Sequence, residues 1–132
     1  MGAHSPHTDV PAVRDADNER PIPTAWRPVL AGIVDAFAAH DYRLERGMPG
    51  VVPVSDATAT QIREAIEDYG DALTALPDAA WETSACIWTG DRWDALVDLW
   101  TEYDGASDLA LQVRVVGTDG EYVFDVHMVY VP

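Results

Sequence analysis

The sequence predicts an α+β domain in which two N-terminal helices pack on one face of a four-stranded antiparallel meander sheet. Three observations carry that expectation. Apolar residues recur with helical spacing between residues 25 and 69, the spacing switches to two from Trp81 onward, and the links between the later segments are short. Links that short join neighbouring antiparallel strands and leave no room for the helical crossovers of a parallel sheet.

Residues 1–24 hold four prolines and almost no periodic apolar residues. They read as a flexible tail ahead of a single domain over residues 25–132. His4 and His7 lie in that tail without further ligands around them, so they are not read as a metal site.

Thr24 is the expected cap of the first helix, with Pro28 in the early turn, where no helical N–H is needed. Trp26, Leu30, Ile33, Phe37 and His40 follow at three- and four-residue steps, which predicts an amphipathic helix to about Asp41. His40 then falls at a helix end rather than in a catalytic site. Residues 42–54 contain Gly47, Pro49, Gly50 and Pro53 and read as a loop. Ser55 caps the second helix, Ala59, Ile62, Ile66 and Tyr69 form its buried stripe, and Gly70 stops it. Asp71 is expected to start one further turn before Pro77.

Four strands are expected at 81–89, 93–102, 107–116 and 121–131. Their links are Gly90-Asp91-Arg92, Tyr103-Asp104-Gly105 and the hairpin signal Asp119-Gly120. Alternation sorts Trp81, Ala85, Ile87, Trp93, Val97, Leu99, Leu111, Val113, Val115, Phe124, Val126, Met128 and Tyr130 onto one face, which the helices should cover. The reverse face receives Cys86, Trp88, Asp94, Leu96, Asp98, Trp100, Gln112, Arg114, Asp125, His127 and Val129. The link lengths set Asp94 opposite Arg114, Arg114 opposite Asp125, and Gln112 opposite His127.

Composition narrows the functions. Asp and Glu number 23 against 8 arginines, lysine is absent, and the net charge is −15. Such a chain repels phosphate backbones and anionic membrane surfaces, so no direct nucleic-acid or membrane partner is expected. No apolar run approaches the roughly 18 residues of a membrane span, and the first ten residues lack the apolar stretch of a signal peptide. The expected location is the cytoplasm. The single cysteine, Cys86, has no internal disulfide partner and no metal spacing.

No catalytic or metal signature stands out. A Cys86–His127 dyad would join the first and fourth strands, about 14 Å apart at ~4.8 Å per strand. Asp125 and His127 are same-face neighbours, an arrangement more often solvated surface than acid–base machinery. No catalytic residue, metal ligand or cofactor is therefore assigned. The candidate partner-binding residues are Trp88, Trp100, Asp94, Asp98, Arg114, Asp125 and His127, because tryptophan beside a forked arginine is enriched in binding hot spots. Cross-strand charge pairing on a solvated face is the plainer account of the same row.

The segments IEDYGDALTALP (66–77), WDALVDLWTEYDGASDLALQVRV (93–115) and VHMVYVP (126–132) resemble a family of short bacterial domains of unknown function. The resemblance covers residues 26–132 and implies a single α+β domain, with no activity, cofactor or catalytic residue attached to it.

The expected function is a small acidic binding or accessory module, immunity- or antitoxin-like, that meets a basic protein partner. It is expected as a monomer or as a homodimer through a sheet edge. The alternative is a small-ligand-binding or enzymatic domain with a pocket between helices and sheet, its mouth formed by Trp26, His40, Tyr42 and residues 47–54.

Overall fold

The computed structural model describes residues 9–118 and 120–132. His4 and His7 lie outside them, as does Asp119 of the expected hairpin turn. The architecture is α+β with an antiparallel sheet, but the sheet has five strands: β1 (Arg20–Pro21), β2 (Ala85–Trp88), β3 (Trp93–Thr101), β4 (Gly105–Thr118) and β5 (Glu121–Tyr130), in that spatial order. Helices α1 (Arg27–Ala38) and α2 (Asp56–Tyr69) lie between β1 and β2 in sequence, and a short α3 (Ala80–Thr83) precedes β2.

The fifth strand corrects the expected four, and it lies within the segment that the sequence reads as a tail. Arg20 and Pro21 pair with Cys86 and Ala85 at the free side of β2. A two-residue strand containing proline has no alternation to read, and proline is tolerated at an edge because its missing N–H faces no neighbour. Ile22 is fully buried, and Thr24 accepts a hydrogen bond from Val10 N through its hydroxyl instead of capping α1. A 3-10 turn over Thr24–Trp26 leads into α1.

The helices otherwise follow the local signals. Ser55 accepts a hydrogen bond from Thr58 N and Gly70 ends α2 at φ 84°, a left-handed geometry that suits glycine. The further turn expected after Asp71 does not form. Leu73 instead bridges Thr101, with Thr74 N donating to Trp100 O and Glu102 N donating to Ala72 O. The start of the expected first strand is helical because Ser84 donates through its hydroxyl to Ala80 O and its N–H reaches the same carbonyl.

Leu30, Ile33, Val34 and Phe37 of α1 and Ile62 and Ile66 of α2 bury against Val97, Leu99, Leu111, Val113, Val115, Phe124 and Val129. Each such side chain contributes about 1.5–3 kcal/mol when fully buried. Trp26, fully buried, meets Trp93 and Tyr122 edge-on at 5.4 Å each and Phe124 at 6.1 Å.

Two registers depart from expectation. Trp88 pairs with Trp93, so the link between β2 and β3 is four residues long, closed by Thr89 N donating to Arg92 O at 2.8 Å. That extra residue turns β2 over. Cys86 lies opposite Ala95 and Trp88 opposite Trp93, both on the core side, while Ala85 and Ile87 turn outward. In β5 a bulge at His127 sets Val126 opposite Val113 but Met128, not His127, opposite Gln112. Val129 thereby enters the core, and Met128 and Tyr130 leave it.

Candidate interaction face

Helices α1 and α2 cover one side of the sheet, and the other side holds most of the residues expected to bind a partner. Its rows follow from the pairing. Ile87, Asp94, Arg114 and Asp125 form one row across four strands, Ala85, Leu96, Gln112 and Met128 the next, then Asp98, Ala110 and Tyr130. Trp100 pairs with Ala106 at the end of the face, its ring lying over Gly105.

The Asp94–Arg114–Asp125 register is as the sequence predicts, although the route differs. The turn between β3 and β4 spans residues 102–104, and two extra residues in β4 restore the offset beyond Asp98. Ser107 closes that irregularity by donating to Leu99 O at 2.7 Å and accepting from Leu109 N at 3.1 Å. Gly105, the first residue of β4 at the exit of that turn, has φ 68°, a left-handed geometry that suits glycine.

The row does not work as alternating ion pairs. Asp94 pairs with Arg92 at 3.1 Å. Arg114 reaches His127 at 3.2 Å, where a guanidinium only donates, so His127 Nε2 is the acceptor. Among the described residues Asp98 and Asp125 have no ion-pair partner, and Arg114 Nε is buried without a hydrogen bond.

Of the seven expected residues, Asp94, Asp98, Trp100, Arg114, Asp125 and His127 share this face. Trp88 does not. It packs on Trp93 at 4.7 Å, and Arg14 lies 4.8 Å over its ring. The segment 85–88 reads Ala-Cys-Ile-Trp, apolar throughout, so alternation carries no information about which side faces in. Leu96, which alternation already places on this face, gains Ile87, Met128 and Tyr130 as neighbours. All are partly exposed and outside the core cluster. The bulge that turned Met128 and Tyr130 outward has no signature in the sequence.

Cys86 and His127 lie on opposite sides of the sheet. Burial pushes the Cys86 thiol up to about 11, and its Sγ lies 3.7 Å from Pro21 O. That is an inert thiol rather than a nucleophile. Among the described residues no cluster of three His, Cys, Asp or Glu side chains is placed to hold a metal ion. No helix among them is long and apolar enough to cross a membrane.

The alternative mouth is scattered. Trp26 is in the core, and Gly47 and Met48 line a separate cleft with Gly32 and Leu44. His40 and Tyr42 do line two adjoining open grooves along α2 together with Arg63. His40, at φ 67°, follows the end of α1, and Tyr42 stacks between Phe37 and His40 at 6.2 and 6.0 Å. Desolvation raises the Tyr42 phenol above its ordinary value, so it stays protonated at neutral pH.

No curated protein and no solved structure gives a significant match. A family model does, across residues 34–132, which takes in most of α1's second half, all of α2 and α3, and β2 to β5. The chain therefore belongs to the family described as Domain of unknown function (DUF7668).

Proposed function

We propose that the chain is a non-catalytic binding or accessory module that engages a basic protein partner through the outer face of its sheet. The observation that carries this reading is the composition of that face. Leu96, Trp100, Met128 and Tyr130 stay partly exposed there beside Asp98 and Asp125, which form no ion pair among the described residues. Partly exposed aromatic and aliphatic side chains among fixed charges favour a protein surface over a phosphate backbone. A net charge of −15 steers basic partners toward it and repels nucleic acid and anionic membranes. An immunity- or antitoxin-like role against a basic toxin is one concrete form. A reducing, cytoplasmic setting suits the buried free thiol of Cys86.

The test compares the tagged full chain with an Asp94→Asn/Asp98→Asn/Asp125→Asn variant of unchanged circular dichroism. A basic partner should co-purify with the wild type at low salt, elute as salt rises and be lost from the variant. Equal recovery by both proteins would sink the reading.

A second reading, small-ligand binding, is favoured by the grooves that share His40, Tyr42 and Arg63. A ligand there should protect Tyr42 from iodination and lose affinity on Arg63→Ala. Full labelling of Tyr42 at saturating ligand counts against it.

A further inference from the structure

We infer that the occupant of the outer face is a basic amphipathic helix of another protein, laid across β3, β4 and β5 as a third layer. This rests on the binding-module reading above and commits it to a partner chemistry and a docking mode.

The edges of the sheet argue for docking on the face. Along the outer side of β5, Val52 N donates to Phe124 O at 2.9 Å and Phe124 N donates to Gly50 O at 2.8 Å. Further along, the Gln61 side chain takes both backbone groups of Val129. At the opposite side, the short β2 is flanked by β1, where Pro21 has no N–H to offer. A partner strand finds little unpaired backbone at either edge. What remains open is the surface between the edges, and the element that covers a partly apolar sheet face is typically a helix.

The layout of the face sets the chemistry of that helix. Ala110 is only 2% exposed and forms a floor. Around it lie Trp100, Leu96 from the next row, Tyr130 opposite, and Met128 beside Tyr130. An apolar stripe fits there. Asp98 lies on β3 between Leu96 and Trp100, opposite Ala110, and Asp125 belongs to the row beyond Gln112, so the helix needs basic residues beside its apolar ones. A second copy of this chain meets the reverse situation. Each copy carries a net charge of −15, and face-to-face packing sets carboxylates against carboxylates.

The probe is a synthetic Leu/Lys amphipathic peptide of about 14 residues, long enough to fold as a helix on a surface. Controls of the same length are a Leu/Glu peptide and a Lys-only peptide. Titration of the full chain, followed by backbone amide and indole NMR shifts, should move the Trp100 indole and the amides of Ala110, Gln112 and Met128. The Leu/Glu peptide should not bind. Trp100→Ala should weaken the Leu/Lys peptide roughly tenfold, as a hot-spot aromatic does. Because the Trp100 ring lies 3.5 Å from where a Cβ on Gly105 would stand, Leu96→Gln serves as the second variant if Trp100→Ala does not fold.

Equal binding of the Lys-only peptide overturns the inference, since charge alone then explains it. So do shifts confined to the His40–Tyr42–Arg63 groove, or a homodimer of the free chain that Trp100→Ala dissociates. The two levels separate cleanly. A co-purified native partner that Trp100→Ala still holds but the Asp94→Asn/Asp98→Asn/Asp125→Asn variant loses leaves the binding module standing and removes the docked helix. A peptide seated on the face, with no partner ever recovered, keeps the face and removes the native function.

Discussion

Gln61 on α2 holds the backbone of Val129 through both ends of its amide. Nε2 donates to Val129 O at 2.6 Å and Oε1 accepts from Val129 N at 3.1 Å, so a side chain takes the part of a neighbouring strand. The same contact locks the residue that the β5 bulge turned into the core. Gln61→Ala removes both bonds and leaves two backbone groups without protein partners, a loss of about 1–3 kcal/mol. Thermal unfolding should fall by several degrees. Gln61→Glu keeps the acceptor but sets a carboxylate against a carbonyl oxygen, and should fall at least as far. Unchanged melting of both variants would contradict the clasp.

Gly117 lies near the end of β4, just ahead of the hairpin turn that holds Gly120 at φ 87°. At φ 136° Gly117 occupies a region closed to side chains, and a Cβ there would overlap Glu121 O and come within 2.8 Å of Tyr122 Cα. Gly70, by contrast, has φ 84° and open space, with nothing within 4 Å of the position a Cβ would take. Gly70→Ala should therefore cost about 1–2 kcal/mol, the left-handed penalty alone. Gly117→Ala should cost distinctly more, because rigid backbone has to move. Denaturant midpoints of the two variants decide the matter, and equal losses contradict the steric argument.

The legible part of this fold is the part that periodicity reaches. Capping at Ser55 and Gly70, the buried stripe of α2, the alternation of β3 and the pairing of Arg114 with Asp125 follow from local spacing and turn chemistry. Asp94 meets Arg114 only because two extra residues in β4 offset the shifted turn. What escaped has a common physical origin. Ala-Cys-Ile-Trp in β2 is apolar on both sides, so only the length of the link fixed its face, and Thr89 lengthened that link by joining the turn. The bulge at His127 inserts one residue without any glycine or proline to mark it. Segment 9–24 is held by scattered contacts, such as Trp93 Nε1 donating to Val13 O at 2.9 Å, which no periodic pattern encodes. The site was half legible for the same reason. Its charged row, Leu96 and Trp100 were in the sequence, and Met128 and Tyr130 came from the bulge.

Cys86 carries a thiol whose acidity is set by burial. Its pKa is pushed up to about 11 from an ordinary 9.0, so the thiolate fraction at neutral pH falls roughly a hundredfold. Iodoacetamide at pH 8 should label the native chain far more slowly than the urea-unfolded chain. Linkage adds a second readout. A folded-state pKa above the unfolded one contributes stability that is complete below about pH 9 and is lost as pH rises through about 11. Cys86→Ala should lack that alkaline loss. Labelling at equal rates in native and unfolded protein would contradict the buried position.

Asp71 ties the end of α2 to the turn between β3 and β4. Its carboxylate accepts from Tyr103 N at 3.1 Å, Asp104 N at 3.2 Å and Ala72 N at 2.9 Å. Desolvation pushes its pKa up. The neighbouring Thr101 hydroxyl, which meets no partner at full hydrogen-bond geometry, and the three N–H groups outweigh that and hold it below the ordinary 3.8. A depressed folded-state pKa contributes stability that is present above the unfolded value and disappears as pH falls through the folded one. Asp71→Asn should therefore be less stable than the wild type at neutral pH, and the two urea midpoints should converge as pH falls through and below the ordinary carboxylate range. The gap belongs to the ionised carboxylate and not to the shape of the side chain, because asparagine fills the same space. A difference that stays constant from neutral to acid pH would assign the contribution to packing and contradict the charge argument.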